Sequence, residues 1–192
     1  MFRLTAAFLM LAGPALAHPG HDHVHAAAGS PFLAGLAHPV AGLDHLVAMV
    51  AVGLWAAVLG GRALWALPAA FVAAMVVGGG LGSAGVPLPG VEPVILASVI
   101  ALGAALALAL RPPLALSLAA VAVFGFAHGA AHGLEGPATG VAGYFAGFVL
   151  ATAALHLAGL AAGLGLARSG RAAGPRVFGG AATAAGVVLL FV

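Results

Sequence analysis

The sequence predicts an all-α fold: a polytopic membrane helix bundle of about six transmembrane helices, following a cleavable signal peptide. Three observations predict it. Of 192 residues, 64% are hydrophobic and 5% are charged, with no lysine; soluble domains carry roughly 25% charged residues and cannot cover a surface otherwise. The apolar runs reach the ~20 residues that a helix needs to cross lipid. Alternation at period two is absent, which argues against a membrane β-barrel.

The elements follow in order. MFRLTAAFLMLAGPALA (1–17) has one arginine, a short apolar core and Ala15-Leu16-Ala17 before His18, the small-x-small pattern of a secretory signal. HPGHDHVHAAAGS opens a polar, histidine-rich leader over 18–31, expected outside the cell membrane. The remainder, 32–192, is read as one transport domain. Its six apolar segments lie at 32–59, 63–82, 92–110, 113–133, 138–167 and 175–192. Glycine and proline clusters separate them: Gly60-Gly61-Arg62, GSAGVPLPG (82–90), Arg111-Pro112-Pro113, Glu135-Gly136-Pro137 and the Arg168–Arg176 loop. Such clusters are where helices stop.

Orientation comes from the arginines. Arg62, Arg111, Arg168, Arg171 and Arg176 all fall in alternate loops, on one side. The positive-inside rule makes those loops cytoplasmic and both mature termini periplasmic, which places the chain as a multi-pass protein of a bacterial inner membrane. The sequence pI near 10.6 rests on six arginines against four acids; no basic stretch suggests a nucleic-acid partner. With no cysteine, disulfides and thiolate metal sites are excluded.

The remaining polar residues are few and cluster. LAHPVAGLDHLVAM (36–49) carries His38, Asp44 and His45; the fourth segment closes on His128, His132 and Glu135; Glu92 opens the third. On the topology above, all converge on the outer leaflet, and only His156 lies deeper. Ionisable groups at membrane depth cost roughly 2.5–3.5 kcal/mol each on insertion scales, so a shared partner is needed, and a divalent cation is the simplest. Imidazole and carboxylate suit borderline first-row metals. His38 and His45 are two helical turns apart and share a face of a continuous helix, with Met49 one turn on. Pro39 can kink that helix. Asp44 is either a direct ligand or an acceptor for an imidazole N–H. His128 and His132 share a face that Glu135 continues.

Each residue has a plainer alternative. The two histidine groups could be hydrogen-bonded networks fixing helices, Glu92 a helix-start residue favoured by the dipole, and His156 an interhelical bond. The leader residues His18, His21, Asp22, His23 and His25 either capture metal near the entrance or form a weakly binding leader. Gly125, Gly129 and Gly133, with Gly143/Gly147 and Gly159/Gly163, read as close helix contacts in lipid.

HPVAGLDHLVAM (38–49) resembles the HP-x2-G-x-DH-x3-M signature of the HupE/UreJ family of nickel/cobalt transporters, membrane proteins associated with hydrogenase and urease maturation. FAHGAAHGLEGP (126–137) and GFVLATAALHLAGL (147–160) are similar to that family's later motifs. The resemblance implies Ni²⁺ uptake, with Co²⁺ the other cargo, carried onto His38, Asp44, His45, His128, His132 and Glu135. The expected protein is then a secondary, channel-like permease, not an enzyme, holding no prosthetic group and serving nickel-enzyme maturation proteins; a homo-oligomer is compatible with it. No nucleotide-binding motif or long cytoplasmic loop is present. The competing readings are an intramembrane zinc hydrolase built on the same cluster and a b-type haem protein.

Overall fold

The computed structural model describes residues 29–171 and 173–191, and among them every regular element is a helix. These are α1 (Pro31–Ala41), α2 (Leu43–Leu59), α3 (Ala63–Ser83), α4 (Val91–Ala107), α5 (Leu114–Glu135), α6 (Val141–Arg168) and α7 (Gly174–Leu189). The signal peptide expected over 1–17 lies outside the described residues. So do His18, His21, Asp22, His23 and His25.

The helix limits fall within about three residues of those read from the sequence. In two places the helices differ from the expected segments. First, 32–59 is not one helix: it breaks at Gly42, which is extended (φ −94°, ψ 123°), and α1 and α2 meet at an 81° bend. Pro39 stays inside α1, and the chain turns three residues later. Second, six full-length spans are not what the described helices supply. α3, α5 and α6 are long and apolar enough to cross a membrane, and the bent α1–α2 pair makes a fourth when its two helices are taken as one span. α4 has 17 residues and α7 has 16, or roughly 25 Å of helix each at 1.5 Å per residue.

α4 stops early for a local reason. Ala109 turns left-handed (φ 50°), Leu110 N–H bonds the Ala105 carbonyl and Ala109 N–H the Leu106 carbonyl, the pattern of a Schellman cap. Pro112 and Pro113 follow at once and cannot continue a helix. Trp55 on α2 fixes the turn by donating its indole N–H to the Leu110 carbonyl (3.1 Å).

Three helix pairs organise the bundle. α3 and α5 run parallel, with Phe71, Met75 and Gly79 against Gly125, Gly129 and Gly133. A methyl group on any of those three α5 glycines would strike a backbone carbonyl of α3, so the glycine periodicity is indeed close packing. α2 and α6 also run parallel; Gly53 and Gly159 bring backbone to backbone near His156 and Val50. α4 and α7 are antiparallel, Gly103 facing Thr183 and Gly179 facing Ala107. These relative directions are those that the loop positions predict.

α2 sits at the centre. Met49, Ala51, Val52, Gly53, Leu54, Trp55 and Ala56 are all buried, which matches an apolar helix with no polar face. One end of the bundle holds Arg62, Arg111 and Arg176, tied together by the Trp55–Leu110 contact and an Arg176 Nε–H bond to the Ala107 carbonyl (3.2 Å). The other end gathers the histidines.

Candidate cation site

Asp44 begins the site. α2 starts afresh at the Gly42 break, so its first amides have no partner one turn back. Asp44 Oδ1 takes one of them, the His45 N–H, at 2.9 Å. The same oxygen lies 2.8 Å from His45 Nδ1. A carboxylate only accepts, so Nδ1 carries the proton and Nε2 of His45 is left with its lone pair. Of the two roles that the sequence leaves open for Asp44, the geometry gives it that of imidazole acceptor.

Nε2 of His45 points across to α5 and meets Nε2 of His132 at 2.6 Å. Since His45 has its proton on the other nitrogen, His132 is the donor in this contact. His128, one turn earlier on α5, donates its Nδ1–H to the Phe124 carbonyl (2.9 Å). That fixes its tautomer and leaves Nε2 buried with no hydrogen-bond partner among the described residues.

His38 comes from α1. Its ring centroid is 4.4 Å from that of His132 and 6.0 Å from that of His45. The shared helix face expected for His38 and His45 does not exist, because the helix breaks between them. The 81° bend brings the rings together instead. In a straight helix, residues seven apart are separated by roughly 10 Å along the axis. The four imidazoles of His38, His45, His128 and His132 form one buried group. Tyr144 and Phe148 of α6 wall it on one side, Phe148 4.4 Å from His132.

Phe71 of α3 forms the floor. Its ring lies 5.4 Å from His128 above and 5.0 Å from His156 below. His156 is fully buried, and neither of its ring nitrogens has a hydrogen-bond partner among the described residues. It is one aromatic ring away from the cluster. Nothing in the spacing of the sequence singles out Phe71, Tyr144 or Phe148, since apolar helices abound in such residues. Gly42, three residues after Pro39, is the signal in the sequence for the break.

The other predicted residues stand apart from the four rings. Met49 is buried in the α2/α6 interface, where its sulfur accepts the Thr152 hydroxyl proton at 3.3 Å. Glu135 closes α5 and is exposed. Glu92 is exposed in the first turn of α4. That turn packs through Val91, Val94 and Ile95 against Ala127 and Ala131, so the acid stands at the same end as the histidines. Among the described residues, no three His, Asp or Glu side chains stand already arranged to hold one metal ion. The arrangement holds a proton between two imidazoles, with further nitrogen donors within one ring's width.

Residues 6–189 match the family described as HupE / UreJ protein. Protein HupE of Rhizobium leguminosarum bv. viciae is 44% identical over 191 residues, covering 98% of this chain and 97% of that one. No solved structure matches the chain.

Proposed function

The chain belongs to the HupE/UreJ family, and on that premise we propose that it is a permease carrying Ni²⁺, or Co²⁺, from periplasm to cytoplasm for hydrogenase or urease maturation. The reading takes the bundle as six membrane passes in the inner membrane, with α4 and α7 as its two short passes and both mature termini periplasmic. The chain catalyses no reaction in this reading, and its leader histidines collect metal at the mouth.

One observation carries it: the facing Nε2 atoms of His45 and His132, with Asp44 behind the first. A divalent cation takes the place of the shared proton between those two lone pairs. His128 Nε2 and His38 are the next donors within reach. Nitrogen donors without thiolate favour Ni²⁺ and Co²⁺ over Cu(I). Asp44 contributes charge from behind, raising the basicity of His45 as outer-shell carboxylates do. Glu92 and Glu135 act as first contacts at the rim, and His156, beyond Phe71, as the following stop, with Met49 beside the path. Several modest sites in series suit transport, which needs binding firm enough to enter and weak enough to leave.

The comparisons lend no support to an intramembrane zinc hydrolase. Accumulation of radiolabelled Ni²⁺ in cells, with Co²⁺ and Zn²⁺ as competitors, tests the proposal. His45→Ala is expected to abolish accumulation while the protein still reaches the membrane. Undiminished accumulation in that variant at normal abundance rejects the assignment.

A further inference from the structure

The end of the bundle remote from the histidines carries charge that nothing among the described residues balances. Arg62, between α2 and α3, and Arg111, between α4 and α5, are both exposed and line one open cavity of about 380 Å³. Its other walls are Leu59, Gly60, Ala63, Pro112 and Leu114. Among the described residues neither guanidinium has an ion-pair or hydrogen-bond partner, since the one salt bridge found is His45 to Asp44. No acid among the described residues lies at this end. Of the four acids in the sequence, Asp44, Glu92 and Glu135 stand at the opposite end and Asp22 precedes the described residues.

Two further features add to the positive potential. α3 begins at Ala63 and α5 at Leu114, both on the cavity wall, so each turns its positive dipole end toward it. Trp65, in the first turn of α3, is 63% exposed. An exposed tryptophan beside arginines is the signature of the headgroup level of a bilayer. The counter-charge at that level is supplied by lipid, and basic pockets between membrane helices take anionic headgroups. Arginine suits this, because its planar fork matches a phosphate bidentately.

The geometry points to a binding site for the phosphodiester headgroup of an anionic phospholipid between Arg62 and Arg111, with Leu59, Pro112 and Leu114 receiving the apolar part. This site depends on the protein lying in a bilayer and is independent of the cation it carries. It also answers a mechanical need. The two loops join α2 to α3 and α4 to α5, and a bridging phosphate ties them to each other where their like charges face, beside the Trp55–Leu110 contact.

Native mass spectrometry of the purified full chain, with phosphatidylglycerol or phosphatidylcholine added to the detergent, tests it. Phosphatidylglycerol is expected to remain bound and phosphatidylcholine to be lost. R62Q/R111Q is expected to weaken phosphatidylglycerol retention by roughly ten- to thirty-fold, and each single variant by about five-fold. R168Q/R171Q removes the same charge from a different loop and is expected to stay within about two-fold of the parent. Equal loss in both double variants, or equal retention of the two lipids by the parent chain, overturns the site. Displacement of phosphatidylglycerol by millimolar inorganic phosphate overturns the lipid as its source. Because the single variants remove exposed, unpaired side chains one at a time, they keep the test decisive should the double variant fold poorly.

Discussion

Residues 31–59 and helix α6 are two stretches of nearly equal length and similar composition that lie against each other, and they behave in opposite ways. α6 runs unbroken for 28 residues although it contains five glycines. The 31–59 stretch contains three glycines and bends by 81°. Glycine content therefore does not decide the matter. α6 has no proline, and its glycines at 147 and 159 are each held by backbone of the neighbouring helix; the contact replaces the side chain that would otherwise stiffen the turn. In the bent stretch, Pro39 removes an amide that would bond Gly35, and Gly42 leaves the helix in an extended conformation, where a Cβ would crowd Asp44 Oδ1 and His45 Nδ1.

The difference matters because the broken stretch holds the chemistry. A break leaves new amides at the start of α2, and Asp44 answers one of them while orienting His45. A straight helix would leave Asp44 no open amide to cap, and would hold His38 about two turns away from His45. α6, the straight partner, contributes walls: Tyr144 and Phe148 beside His38, and Thr152 on the Met49 sulfur.

Four substitutions break or sharpen this comparison, with expected effects from largest to smallest. His132→Ala removes the imidazole on which the bend is aimed, and cellular Ni²⁺ accumulation is expected to fall to background with the protein still in the membrane. Accumulation near the normal level would detach the bend from transport. Asp44→Asn keeps the size and the cap but loses the charge behind His45, so the apparent affinity for Ni²⁺ is expected to weaken roughly 10–100-fold, read from the concentration dependence of uptake. Helix content by circular dichroism should not change.

Gly159→Ala puts a methyl group on the Val50 carbonyl where α6 meets α2. Overpacking of this kind costs about 1–3 kcal/mol, visible as a lower melting temperature in detergent; an unchanged melting temperature would mean that the two helices are not held as closely as they stand. Gly165→Ala, on the same helix, meets nothing within 4 Å. It is expected to stabilise by roughly 0.5–1 kcal/mol, the usual cost of a helical glycine. Opposite signs at 159 and 165 would confirm that the neighbour, and not the residue type, governs the glycines of α6.

Much of this is legible in the sequence. The helical class, the segment limits to within a few residues, the glycine contacts of α5 and the grouping of His38, His45, His128 and His132 all follow from composition, breakers and the side on which each polar residue falls. Lipid makes this possible: with no water to satisfy backbone groups, the chain has few options besides helix, and each polar residue stands out. The short reach of α4 was not legible, because its apolar run extends past the point where left-handed Ala109 ends the helix. Phe71 between His128 and His156 was not legible either, since one phenylalanine in a membrane helix looks like any other.

What the residues alone determined was an inventory with a direction: nine histidines, four acids and six arginines, the arginines of the loops at one end and most of the rest at the other. What tertiary structure decided was the angle at Gly42 and the choice of which nitrogen faces which. Sequence spacing describes neighbours along one axis, whereas the contact of His45 with His132 is made between two helices whose separation is fixed by packing. Only the bend and the close approach of the glycine-lined helices bring those two rings within a proton's reach.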